Sequence, residues 1–159
     1  MVIRKEEFKK ALERARRLHG ENKTLTARQI AGEYGEECIE LLVALLAKDF
    51  KQSYNEAIDV AVVAFRIAMG EFADSNAVNK PEADVLDVLW SVYEVVQRWK
   101  DSKSSLEAES LSLSVALFRT PIDPEYFQNA ISCAAFALCI ADIAQRYRDD
   151  PRIKSKEAS

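Results

Sequence analysis

The sequence predicts an all-α protein. Only four glycines and four prolines occur among 159 residues, and 48% of the residues are hydrophobic, a composition that favours helices over turn-rich β structure. Apolar residues recur at intervals of three and four positions, whereas alternation of apolar and polar residues over the length of a strand is hard to find. A chain of this length buries enough surface for one hydrophobic core. We therefore expect a single helical domain over residues 1–147.

Residues 26–72 are predicted to form a pair of helices. Thr26 and Gln29 have the spacing of a capping box, which starts one helix. That helix reaches about residue 47, and a short Lys-Asp-Phe turn leads into the next helix over residues 52–72. Because the connection is so short, we expect an antiparallel hairpin.

The segments on either side of this hairpin are also predicted to be helical. Their ranges are, in chain order, 3–18, 82–99, 106–118 and 123–147, the last one started by Asp123 as N-cap and Pro124 in the first turn. Residues 74–81, with two asparagines and a proline, form the clearest break in the chain. Residues 148–159 are expected to be a disordered tail.

The charge and hydropathy of the chain argue against nucleic acid and membrane partners. The net charge is −4 at neutral pH, and no basic stripe is present that could follow a phosphate backbone. No run of 18 or more uncharged apolar residues occurs, and the N-terminus lacks the apolar core of a signal peptide. We therefore expect a cytoplasmic protein. The cysteines, an odd number within apolar helical patterns, are expected to be reduced core residues: Cys38, Cys133 and Cys139.

Two acidic pairs on the consecutive helices of the hairpin predict a metal site. Glu37 and Glu40 share one face of the first of these helices, and Glu56 and Asp59 share one face of the second. Four carboxylates then converge across the helix pair. At an effective dielectric constant of about 20, each close like-charge pair costs roughly 3 kcal/mol, and a hard divalent cation with oxygen ligands relieves this repulsion. The sequence therefore predicts bound Mg²⁺, or Mn²⁺ held by the same ligands.

The surroundings of these pairs favour a buried site over a solvated face. An isolated Glu-Glu-x-x-Glu segment is usually solvent-exposed, and Glu33 and Glu36 extend this acidic stripe. In the next helix, however, Asp59 and Arg66 are the only ionisable residues from 57 to 69, within a run of Val, Ala, Ile and Phe. Arg66 lies two turns after Asp59 on the same stripe. A structural salt bridge and contact with a metal-bound anion are equally good interpretations of this arginine.

These residues resemble the signature of the MazG-type, all-α nucleoside triphosphate pyrophosphohydrolases, EExxE followed by ExxD. In this chain the motifs are Glu36-Glu37-Cys38-Ile39-Glu40 and, after fifteen intervening residues, Glu56-Ala57-Ile58-Asp59, and the likeness covers roughly residues 26–70. The resemblance implies that Glu37, Glu40, Glu56 and Asp59 bind Mg²⁺, and that Glu36 lies near enough to orient or deprotonate a water. It also implies a MazG-like helical bundle with extra C-terminal helices, completed by assembly into a homodimer or homotetramer.

The first metal-binding pair has a second possible registration, and the residue at position 66 differs from the family pattern. The segment Glu33-Tyr34-Gly35-Glu36 resembles the ExGE variant of related dimeric pyrophosphatases, a registration in which Glu33 joins the metal site. Many relatives carry Asn where Arg66 stands. The predicted phosphate contacts are Arg66, Lys48 and Lys51, although the two lysines equally suit a solvated turn.

The resemblance predicts Mg²⁺-dependent hydrolysis between the α and β phosphates of a nucleoside triphosphate, with Glu36 as the proton acceptor. Two alternatives stay open. One is a non-catalytic helical protein that binds a nucleotide or a partner, and the other is an enzyme like phosphoribosyl-ATP pyrophosphohydrolase, which shares the scaffold and the chemistry. A ferritin-like di-iron bundle is not expected, since the chain has one histidine and no ExxH motif.

Overall fold

Five packed helices form the part of the chain that the structure describes. The computed structural model describes residues 3–19, 25–75, 80–101 and 126–149. The helices are, in chain order, α1 (Lys5–His19), α2 (Ala27–Leu46), α3 (Phe50–Ala68), α4 (Glu82–Asp101) and α5 (Tyr126–Asp149), with no strand in the described ranges. The predicted all-α class is therefore confirmed.

Helix α3 lies in the middle of the bundle. Its contact with α5 is the most extensive between any two described helices, and it also packs against α2 and α1, while α4 packs on α5. Small side chains permit close approach of helix axes, and both central helices bury several alanines: Ala57, Ala61, Ala64 and Ala68 on α3, and Ala130, Ala134, Ala137 and Ala141 on α5. The backbone position of α3 is therefore set by the core.

Helix α5 is long and apolar enough, by length and composition alone, to cross a membrane. In this structure, 72% of its most apolar window is buried inside the protein, so core packing accounts for the apolar composition. Asp142, which is fully buried within α5, pairs with Arg146 at 2.8 Å and accepts a hydrogen bond from Gln97 of α4.

The ends of the α2–α3 hairpin are set by local capping interactions. The Thr26 hydroxyl accepts a hydrogen bond from the Gln29 backbone N–H, and the Gln29 side chain accepts one from the Thr26 N–H, which confirms the predicted capping box. Asp49 caps α3 by accepting a hydrogen bond from the Gln52 N–H. Between the two helices, Lys48 adopts a left-handed conformation with a φ of 56°, and the chain reverses direction over three residues.

Two helix boundaries differ from those predicted. Helix α3 ends at Ala68 and not at residue 72, because Gly70, with a φ of 72°, turns the chain there. Helix α5 continues to Asp149, two residues into the segment 148–159 that is predicted to be a disordered tail. Tyr147 stacks on Phe50 of α3 with ring centroids 5.0 Å apart, and this contact holds the end of α5 in the bundle.

The remaining predictions concern the three cysteines and three segments of the chain. The three cysteines are free and buried, as predicted. The predicted helix over residues 106–118, the predicted helix start at Asp123 and Pro124, and residues 150–159 lie outside the described residues.

Candidate metal centre

Three carboxylates meet between α2 and α3. Glu37 belongs to α2, while Glu56 and Asp59 lie about one turn apart on α3, and one oxygen from each of the three side chains lies within 4.8 Å of the other two. All three belong to the set of four that the sequence predicts as metal ligands. Because α3 is anchored in the core on both sides of Asp59, the folded backbone holds these carboxylates together.

The fourth predicted ligand, Glu40, is not among the three residues whose oxygens all lie within 4.8 Å of one another, but its carboxyl forms a hydrogen bond with Glu56. Its side chain is exposed, yet its carboxylate is the charged neighbour that acts most strongly on Glu37 and it also lies close to Glu56. We call Glu37, Glu40, Glu56 and Asp59 the acid cluster.

Burial and repulsion favour a bound proton in the acid cluster. The pKa of Glu37 is raised to about 7, first because its carboxyl is partly withdrawn from water, and then because Glu40, Asp59 and Glu56 repel its negative charge. The pKa of Glu56 is also raised by burial. A hydrogen bond from Gln52 Nε2 at 2.5 Å opposes this increase, and the nearby Glu40 and Asp59 carboxylates add to it.

The donor set fits a hard divalent cation. Glu37 Oε2 and Glu56 Oε2 are buried, and neither accepts a hydrogen bond from the described part of the chain. A buried carboxylate oxygen without a donor has lost its hydration without compensation, and a bound cation would supply the missing interaction. Octahedral ligands of Mg²⁺ lie about 4.2 Å apart when opposite and about 3 Å apart when adjacent, so binding one ion with all three oxygens requires at least two of the three oxygen pairs to lie about 3 Å apart.

An open groove of about 410 Å³ leads to the acid cluster between α1 and the hairpin. Helix α2 lines it with Glu33, Glu36 and Glu37, and α3 contributes Asp59. The opposite wall consists of α1 residues: Ala11, Arg14, Ala15 and Leu18. Glu36, the predicted proton acceptor, and Glu33, the residue of the alternative registration, are therefore both placed beside Glu37. We call this space the acid groove.

Arg66, a predicted phosphate contact, lines the acid groove but also takes part in a buried ion pair. Only 3% of the residue is exposed, and its Nε donates to Glu71 Oε2 at 2.8 Å. Glu71 Oε1 in turn accepts from Arg16 of α1 at 2.7 Å, and Arg16 also donates to Glu82 of α4 at 2.8 Å. The structure thus contains the salt bridge that the sequence offered as one of two interpretations of Arg66.

Lys48 and Lys51, the other predicted phosphate contacts, lie at the turn between α2 and α3. Both are exposed, and neither lines the acid groove. The structure therefore does not bring these two lysines to the acid groove.

The solvent-facing side of α2 carries an apolar stripe beside the acid cluster. Ile39, Val43 and Leu46 have exposed fractions of 56%, 61% and 70%, and their spacing places them on one helix face. Gly32 and Gly35 extend this face, and a Cβ at either glycine meets nothing within 4 Å. We call these five residues the α2 apolar stripe.

Comparisons with known proteins identify no relative: no family model, no curated protein and no solved structure matches this chain. The likeness to the MazG-type enzymes therefore rests on the two motifs themselves. The function is argued below from the site.

Three residues near the site were missed by motif reasoning. Gln52 donates to Glu56, and its position four residues earlier on the same helix could have indicated this contact. Glu71 pairs with Arg66 only because the chain turns after α3, and no motif indicates that pairing. Arg14 lies across the acid groove, on a helix whose packing position the sequence does not reveal.

Proposed function

We propose that this protein is a Mg²⁺-dependent nucleoside triphosphate pyrophosphohydrolase, which cleaves between the α and β phosphates to give a nucleoside monophosphate and pyrophosphate. The main support is the convergence of Glu37, Glu56 and Asp59, two of which have buried oxygens that accept no hydrogen bond from the described residues. An acidic site of this kind at the end of an open groove suits metal-assisted attack by water. The EExxE and ExxD motifs supply the expectation of this particular reaction.

The residues of the site divide into ligands and a proton acceptor. Glu37, Glu56 and Asp59 would hold the metal, with Glu40 close enough to join them. Mg²⁺, when bound, offsets the charge of the triphosphate and polarises the phosphoryl group under attack. Glu36 is exposed in the acid groove beside Glu37, so it is open to the attacking water.

In the proposed reaction, the oxygen of a water attacks the α phosphorus while Glu36 accepts a proton from it. The bond between the α phosphorus and the bridging oxygen breaks. Pyrophosphate leaves with the bonding electrons, and the remaining product is the monophosphate.

The test is release of pyrophosphate from a mixture of nucleoside triphosphates with Mg²⁺. We expect Asp59→Asn, Glu56→Gln and Glu40→Gln to lower the rate, the first two by at least about a hundredfold, since loss of a ligand costs more than loss of an outer-shell partner. Glu94→Gln is the matched control, because Glu94 is an exposed acid on α4 away from the cluster, and it should keep the wild-type rate.

Two outcomes would contradict the proposal. Pyrophosphate release that is unchanged in Asp59→Asn and Glu56→Gln would show that the cluster does not catalyse it. Nucleotide binding without any release would instead support the non-catalytic alternative. A substrate panel that includes phosphoribosyl-ATP distinguishes hydrolysis of nucleoside triphosphates from hydrolysis of phosphoribosyl-ATP.

We also propose that a second copy of the chain packs on the α2 apolar stripe, as the resemblance implies for a homodimer or homotetramer. A depression of about 380 Å³ beside this stripe is lined by Ile39 and Val43 and also by Glu40 and Glu56. A helix laid on the stripe would therefore cover one side of the acid cluster and exclude water from it. The acid groove, on the other side, would stay open to substrate.

A further inference from the structure

The α1 wall of the acid groove carries a positive charge that faces the carboxylates. Arg14 lines the acid groove, and it also lines a second cleft of about 420 Å³ between α1 and α3, with Tyr54 and Asn55. Lys10 and Arg17 line this second cleft as well, together with the acids Glu7 and Glu13. The two clefts therefore adjoin at Arg14.

Lys10, Arg14 and Arg17 are spaced by four and three residues and so form one stripe along α1. None of the three makes an ion pair within 4 Å with a carboxylate in the described ranges. Other cations on the same helix do: Lys5 pairs with Asp87, and Arg16 with Glu71. The stripe thus contains cations that the fold itself does not neutralise.

The space between Arg14 and the acids is open because the nearest α1 side chains are small. Ala11 and Ala15 line the acid groove on either side of Arg14, and each contributes only one carbon. Arg14 forms no ion pair with Glu33, Glu36 or Glu37 although all four residues line the same groove. The groove therefore leaves room for an anionic ligand. Arg14 would contact it from the α1 wall, and a cation bound by the acids would contact it from the opposite wall.

We propose that Arg14, with Arg17 and Lys10 beyond it, binds the phosphate groups of the substrate that lie farthest from the metal. This rests on the proposed function, which supplies a triphosphate with one phosphate at the acid cluster. The guanidinium of Arg14 contacts two phosphate oxygens at once and stabilises the charge of the departing pyrophosphate. Arg14 is then the phosphate contact on the open side of the site, since Arg66 is engaged by Glu71 and the two lysines of the α2–α3 turn do not line the groove.

The experiment measures binding of inorganic tripolyphosphate with Mg²⁺ by calorimetry, so that it does not depend on turnover. We expect Arg14→Ala to weaken binding about ten- to a hundredfold, Arg14→Lys to restore part of it, and Arg17→Ala to cause a smaller loss. Arg98→Ala is the matched control, because Arg98 is exposed on α4 and lines neither cleft. Binding of Mn²⁺ alone should be unchanged in Arg14→Ala, because Arg14 is not a metal ligand.

The possible results separate this inference from the proposed function. Equal tripolyphosphate binding by the wild type and Arg14→Ala overturns the inference, and so does a wild type that binds no tripolyphosphate. Loss of Mn²⁺ binding in Arg14→Ala also overturns it, since the effect would then be on the acid cluster. Arg14-dependent binding without pyrophosphate release from any triphosphate supports the inference and contradicts the proposed function.

Discussion

At the scale of single residues, Glu37 links the stability of the metal-free protein to pH. Its pKa in the folded chain is about 7, raised from 4.5. Between these values the unfolded chain has lost a proton that the folded chain still holds, so ionisation favours unfolding as the pH rises. Below the lower value both forms hold the proton, and above the upper value both have lost it.

We therefore expect the melting temperature in the presence of a chelator to fall as the pH is raised from 5 to 8. Because Glu37 is only partly buried, solvent screening limits the effect to roughly 1–2 kcal/mol. Differential scanning fluorimetry measures it. Glu37→Gln should remove most of the slope, leaving the part due to Glu56, while Glu94→Gln should keep the wild-type slope. A slope that is equal in all three proteins would exclude Glu37 as its source.

The same residue makes a prediction for metal binding. At the proposed metal site, Mg²⁺ would have to displace the proton on the acid cluster, and its binding would therefore weaken at low pH. Added Mg²⁺ should raise the melting temperature more at pH 8 than at pH 5, and Asp59→Asn should reduce the increase at both. An increase of equal size at the two pH values would mean that the ion binds elsewhere.

At the scale of helices, the Arg66–Glu71–Arg16 network joins α1 to the turn that follows α3. Removing the charge of Glu71 leaves Arg66, which is 3% exposed, without this partner. We expect Glu71→Gln to lower the free energy of unfolding by about 3 kcal/mol. The control is Asp87→Asn, which breaks the exposed ion pair between Asp87 and Lys5 and should cost less than about 1 kcal/mol. Urea denaturation followed by circular dichroism compares them, and equal losses would contradict a structural role of the network.

Gly32 gives a complementary prediction for α2. It lies inside the helix, and an added Cβ meets nothing within 4 Å. Gly32→Ala should therefore stabilise the separate chain by about 0.5–1 kcal/mol, because alanine loses less backbone entropy on folding. Urea titration at low protein concentration measures this gain. Destabilisation at high concentration alone would indicate that a partner helix contacts this face.

At the scale of the whole molecule, the α2 apolar stripe predicts association. We expect the wild type to be a dimer or tetramer by sedimentation and Val43→Glu to be a monomer, because the charge would be buried at the contact. Val95→Glu is the control: Val95 has an exposed fraction of 56% on α4, outside the stripe, and its replacement should leave the assembly unchanged. A monomeric wild type at all concentrations would exclude the proposed packing.

The parts of the molecule that the sequence predicted well are those with local causes. Thr26 and Gln29 signal the start of α2 by contacts three residues apart, and the spacing of Glu37, Glu56 and Asp59 on two adjacent helices was sufficient to predict that they meet. The pairing of Arg66 with Glu71 and the position of Arg14 depend on how separate helices pack. Such contacts have no period or motif, so only the three-dimensional structure reveals them.

Helix α3 carries two of the acids of the site, and it also makes the largest contact in the core. Asp59 and its buried neighbours, Ile58 and Val60, occupy the same turn, so these acids cannot separate from the others unless the α3–α5 contact opens too. If the site binds an ion as proposed, loss of ion affinity on heating should therefore coincide with cooperative melting of the entire bundle. Thermal inactivation would then follow the melting curve directly, with no earlier stage in which an intact scaffold has a disordered site.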